Sequence, residues 1–224
     1  MSDKNILIEG VAMYNRRDYG GALTFFLSLP EESVTDNIEL AYYIGLCYLK
    51  LERYDDALLY LEQVVTAGNG TERVLQCRYL LALIYVRSGR KKLASFELNK
   101  LIENGYKPAA VYSSLAYIAW QEEQVELCLD YYKKALEEDE DCPTALNGMG
   151  YVLASENRDL TKALSYCKKA LSIEPDSAAC LDSVGWVYVK LGLMNDAMKY
   201  LSQAHEILPD NELINEHIRM AQEV

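Results

Sequence analysis

Only two histidines, His205 and His217, occur in the 224 residues, twelve positions apart. His205-Glu206 is not followed by a second histidine four residues on, so the helical imidazole pair that holds zinc in metalloproteases is missing. The six cysteines (Cys47, Cys77, Cys128, Cys142, Cys167 and Cys180) include no CxxC pair, which leaves a structural zinc without ligands at the required spacing. Cys128 or Cys180 acting as a nucleophile would need a histidine close in register, and neither has one. Gly20-Gly21 and Gly68-Asn69-Gly70 are not followed by Gly-Lys-Ser/Thr, so neither is a phosphate loop. With 34 carboxylates, acidic pairs arise by chance and none marks a general acid. The sequence therefore predicts no enzyme, no cofactor and no metal. Each histidine is expected to serve as a surface or packing residue.

The charge balance narrows the partners. Lys and Arg number 22 against 34 Asp and Glu, a formal net charge of −12. Such a chain repels phosphate backbones and anionic lipid surfaces, which are bound chiefly through Lys and Arg. A protein or peptide partner of neutral or basic character is expected, with no nucleic acid and no direct membrane insertion. The longest apolar run, Tyr79 to Val86, is far short of the ~20 residues that cross a bilayer. The N-terminal residues have no basic start, sustained apolar stretch or cleavage site, which predicts an unexported, cytoplasmic protein. All cysteines except Cys142 sit in apolar-periodic segments, as small buried hydrophobes in a reducing compartment would.

What positions the side chains is a repeat. Small residues recur at Gly10, Gly45, Ala82, Ala116, Gly150 and Gly185, separated by 35, 37, 34, 34 and 35 positions. A second small residue follows each at Ala22, Ala57, Ala94, Cys128, Ala163 and Ala197, 12 positions later in five cases and 13 in the fifth unit. Apolar residues between the markers keep helical spacing, so each unit predicts two amphipathic helices and a turn. Arg53 to Asp56, Ser88 to Lys92, Glu156 to Thr161 and Gly192 to Asp196 are expected to turn within pairs. Pro30, Gly68-Asn69-Gly70, Gly105 with Pro108, Pro143, Pro175 and Pro209 are expected to separate one pair from the next. Pro30 should cut the second helix short, and three extra residues around Gly68-Asn69-Gly70 mark the best place for a bend.

This pattern resembles the tetratricopeptide repeat, a 34-residue helix–turn–helix unit with Trp-x2-Leu-Gly-x2-Tyr, Ala-x3-Phe and a late proline. The matching residues are Val184, Gly185, Tyr188, Ala197, Leu201, Ala204 and Pro209 in the sixth unit. Ile44, Gly45, Tyr48, Ala57 and Leu61 match in the second, and Gly10, Ala22 and Phe26 in the first. The resemblance implies an all-α, right-handed superhelical solenoid of six helix-turn-helix pairs plus a C-terminal capping helix. Six repeats would fill residues 1–209, divided at about 3–37, 38–74, 75–108, 109–142, 143–177 and 178–209, with the cap over 210–224. Leu213, Ile214, His217, Ile218 and Ala221 share one face of that last helix, which makes it a lid on the sixth unit. The last two units resemble repeats of bacterial adaptor and assembly proteins.

In this family the first helix of each pair lines a concave side. Carried over, the fifth positions are Leu7, Tyr42, Tyr79, Ser113, Asn147 and Asp182, and the ninth are Val11, Leu46, Leu83, Tyr117, Tyr151 and Trp186. Tyr14, Trp120 and Lys190 follow one turn later. The expected groove is aromatic, suited to a peptide or amphipathic helix read by spaced anchors. The Lys and Asn of the family's carboxylate clamp are replaced by Leu7 and Val11, so binding of acidic chaperone tails does not carry over. The resulting expectation is an adaptor or scaffold. The alternatives are a chaperone shielding an apolar client segment, or a self-associating structural unit. The acidic run Glu137 to Asp141 is read as a solvated turn between units.

Overall fold

A computed structural model describes residues 6–30, 37–68 and 71–223. Among them are thirteen helices and no strand. They fall into two compact units, one reaching to Tyr106 and the other starting at Lys107.

The first unit holds three helical hairpins: α1 (Ile8–Asn15) with α2 (Tyr19–Ser28), α3 (Asn37–Lys50) with α4 (Tyr54–Ala67), and α5 (Glu72–Arg87) with α6 (Lys91–Glu103). Pro30 does stop α2 early: it has 10 residues against 14 in α4. Of the expected bend, Asn69 and Gly70 lie outside the described residues, while Gly68 is an extended C-cap of α4. The second unit holds α7 (Pro108–Gln121) with α8 (Val125–Glu138), α9 (Pro143–Ser155) with α10 (Leu160–Ile173), and α11 (Ala178–Lys190) with α12 (Met194–Ile207). It closes with α13 (Glu212–Gln222), which packs on α11 and α12.

The small-residue series works by close approach. A Cβ on Gly185 would come within 2.6 Å of Leu201 Cγ, and one on Gly150 would overlap Cys167 Sγ and reach 2.8 Å from the Ala163 carbonyl. The second series sits against it: Ala22, Ala57, Ala94, Cys128, Ala163 and Ala197 are all fully buried. Each pair thus nests along a seam of small side chains, with Phe26, Leu61, Leu98 and Leu201 filling the space beside it.

The turns inside pairs are shorter than the sequence suggests, since α4, α6, α10 and α12 already begin at Tyr54, Lys91, Leu160 and Met194. A left-handed residue at one shared position reverses the chain in each, with a second, Asp159, in the turn before α10. Those at the shared position are Arg17, Glu52, Gly89, Glu123, Asn157 and Gly192, with φ between 51° and 74°. Each lies seven positions after the small marker residue. The following N–H then reaches back to the preceding helix, as Arg53 does to Tyr48, Gln124 to Ala119 and Leu193 to Tyr188. Four of the six positions are not glycine, so local strain is accepted for a tight hairpin.

All six cysteines are free and buried, as expected of packing residues. Burial pushes the Cys47 thiol up to about 11 and those of Cys77, Cys128 and Cys167 up to about 12, which keeps them protonated and unreactive. The acidic run ends α8 with Glu137 and Glu138 and continues into the exposed turn after it, where Lys169 pairs with Asp141 at 2.8 Å.

Candidate functional site

The expected groove residues meet different fates in the two units. In the first, Leu7 and Leu46 are buried; Leu46, only 8% exposed, is a core residue and does not face an open surface. Val11, Tyr14, Tyr42 and Tyr79 are half-buried, and Leu83 is exposed. The rings here pack on one another. Tyr14 meets Tyr19 and Tyr43 at 5.2 and 6.4 Å, and Tyr43 stacks on Phe26 at 5.7 Å. A hollow of about 590 Å³ runs beside Tyr42, Arg73 and Gln76. Three of its polar residues are already engaged: the Tyr42 hydroxyl donates to Gln76 Oε1 at 2.8 Å, and Arg73 lies over the Tyr42 ring while pairing with Glu39.

The second unit is built otherwise. A cleft of about 650 Å³ is bordered by α7, α9, α11 and the start of α13. Five expected residues line it: Tyr117, Trp120, Asn147, Tyr151 and Asp182. Tyr117 is 45% exposed, and its hydroxyl accepts from Gln121 Nε2 at 2.8 Å. Trp120 and Tyr151 meet edge to face at 6.2 Å. Asn147 Oδ1 is buried without a hydrogen-bond partner, one of two such side-chain atoms among the described residues; the other is His205 Nδ1, outside the cleft. A buried acceptor left unpaired costs about 1–3 kcal/mol, a cost that an incoming donor would relieve once a small side-chain shift opened Oδ1 to the cleft.

Two expected groove residues are closed off by α13. Asp182 is 4% and Trp186 8% exposed, because His217 lies over both. The His217 ring stacks on Trp186 with centroids 4.2 Å apart, and its Nδ1 is 2.8 Å from Asp182 Oδ1. A carboxylate only accepts, so Nδ1–H is the donor. Trp186 Nε1–H donates to Ser155 Oγ at 3.0 Å, which completes a buried network. Lys190 is likewise spent on packing, its Nζ 4.5 Å over the Trp186 ring and away from the cleft. Asp182 still reaches the cleft from below. Burial, followed by the negative charges of Asp182 and Glu216, holds the Tyr151 hydroxyl above the ordinary phenol range, against a lowering contact from Ser155.

Several lining residues are absent from the fifth-and-ninth reading: Tyr132, Gly148, Ser183, Leu208 and Leu213. Gly148 matters most, because a Cβ there would overlap the Tyr132 ring and hydroxyl. The signal for it was available two positions before each small marker, where the second unit carries Ser114, Gly148 and Ser183.

Paired helices nested along a small-residue seam and repeated every 34 to 37 residues define a helical-hairpin repeat protein. Residues 44–110 and 113–178, more than half of the chain, match the tetratricopeptide repeat family. The chain belongs to that family. Over 60 residues it is 42% identical to uncharacterized protein ycf37 of Cyanophora paradoxa, covering 25% of this chain and 35% of that protein. Among solved structures it is similar to YrrB, described as a tetratricopeptide repeat protein with an unusual peptide-binding site. There the TM-score is 0.55 at 21% identity, over 83% of this chain and 91% of that one. A tetratricopeptide repeat protein from Parabacteroides merdae ATCC 43184 gives a TM-score of 0.70 at 13% identity, covering 98% of each chain. These likenesses are to the fold. Among the described residues no helix is long and apolar enough to cross a membrane.

Proposed function

We propose that this protein is a non-enzymatic adaptor that holds an extended peptide segment of a partner protein in the cleft of its second unit. The observation that carries this reading is the unpartnered Asn147 Oδ1 set in a wall of Trp120, Tyr117 and Tyr151. An extended chain brings backbone N–H donors at regular spacing and apolar side chains between them, which matches one acceptor among aromatic faces. The peptide-binding site named for YrrB supports the same use of the fold.

The test is selection of random 12-residue peptides on the full-length protein and on a Tyr117→Ala/Trp120→Ala variant, with helicity followed by circular dichroism. Peptides enriched on the intact protein and lost from a folded variant are the expected result. Equal enrichment on both would overturn the reading. A concentration-dependent dimer abolished by the same substitutions would replace the peptide by a second copy.

A further inference from the structure

We propose, building on the peptide reading above, that the cleft of the second unit selects a peptide that places a Lys or Arg side chain between its aromatic walls. Of the residues that line the cleft, the charged ones are Glu174 and Asp182, both acidic, and no Lys or Arg is among them. Trp120, Tyr117 and Tyr151 all line the same space, and a cation set over an aromatic face is attracted by the ring quadrupole. Asn147 Oδ1 adds an acceptor with nothing to accept. The negative charges of Asp182 and Glu216 are felt at the Tyr151 hydroxyl, so the field reaches into the cleft from its α11 and α13 sides.

Asp182 is hydrogen-bonded to His217, and no Lys or Arg side chain lines the cleft to offset the charge of Glu174. Lys169 is held at Asp141, Lys134 at Asp130, Arg158 at Glu126 and Lys190 over Trp186, none of them a lining residue. An acidic side chain in the cleft would meet like charges, and an aliphatic one would leave Asn147 Oδ1 unpaired. A guanidinium or ammonium supplies donor and charge together. The net charge of −12 steers such a segment toward the protein from a distance.

The test uses N-acetylated, C-amidated peptide pools with randomised flanks and one central residue fixed as Lys, Arg, norleucine, citrulline or Glu. Blocked ends exclude a terminal amine as the cation. Retention is measured on the full-length protein, on Glu174→Gln and Asn147→Leu, and on the Tyr117→Ala/Trp120→Ala variant. Glu174 is exposed, so its variant keeps the fold. Lys and Arg pools retained about fivefold or more over norleucine and citrulline, with the ratio falling in both single variants and at high salt, is the expected result. Retention of all pools alike, or of the Glu pool best, overturns the proposal and leaves peptide binding standing. Retention of every pool no better than on the double variant overturns both.

Discussion

Two positions before each small marker residue, the first unit carries Ile8, Tyr43 and Leu80, and the second carries Ser114, Gly148 and Ser183. Both units nest along the same seams and both carry a hollow, of about 590 and 650 Å³, but this position is bulky in the first unit and small in the second, and the hollows are lined differently. In the first unit Tyr43 reaches Phe26, Tyr14 and Tyr42, and those rings are used up on each other. In the second, Gly148 and Ser183 line a cleft of about 650 Å³ that Tyr117 and Tyr151 of the ninth position also border, while Trp186 is covered. At the far end α13 carries His217, which covers Asp182 and Trp186 and closes the cleft there. Repeat identity decides the scaffold, and residue size at this register changes which side chains line its hollows.

The largest test of this contrast is at the closed end. His217→Ala leaves Asp182 buried without its partner, and loss of one member of such a pair costs about 3–5 kcal/mol. Urea unfolding should show that loss, whereas Tyr42→Phe in the first unit, which removes a part-exposed hydrogen bond, should cost about 1 kcal/mol. Equal costs would mean that α13 is a loose appendage. Next comes Gly148→Ala, which pushes Tyr132 out of place and should cost about 1–3 kcal/mol while reducing peptide retention. Unchanged stability and retention would remove residue size at this register as a determinant of the cleft lining.

Asn147→Leu should act with opposite sign on stability and binding. Removal of an unpaired acceptor should stabilise the free protein by about 1 kcal/mol, while peptide retention falls. A destabilised Asn147→Leu would show that the acceptor has a structural partner. The smallest effect concerns the hairpin turns that both units share. Glu123→Gly should raise the unfolding free energy by up to about 1 kcal/mol, since φ is 59° there. Gly192→Ala, at φ 74°, should lower it by a similar amount, about 1 kcal/mol.

Much of this was legible in the residues. The two series of small residues, from Gly10 with Ala22 to Gly185 with Ala197, located the six hairpin seams, because a close approach tolerates only small side chains. The short α2 followed from Pro30, and the polar outer face of α13 from its own periodicity. Of the aromatic lining, Tyr117, Trp120 and Tyr151 were found by register. Trp186 was placed on the open face by the same register, yet it is covered, because register fixes the direction of a side chain and says nothing of what lies over it. Leu46 is buried for the same reason, while Lys190 lies over the Trp186 ring.

By itself, then, the sequence determined the all-helical repeat, the seams that join each pair, and which side chains share a face. These are set by short-range periodicity and by side-chain volume. The tertiary structure decided which faces remain open, where α13 ends the cleft, and that Asn147 is left without a donor. Those outcomes depend on helices brought together from positions some 35 residues apart, as with Asp182 and His217. Contact across that distance is a product of packing, which no local pattern records.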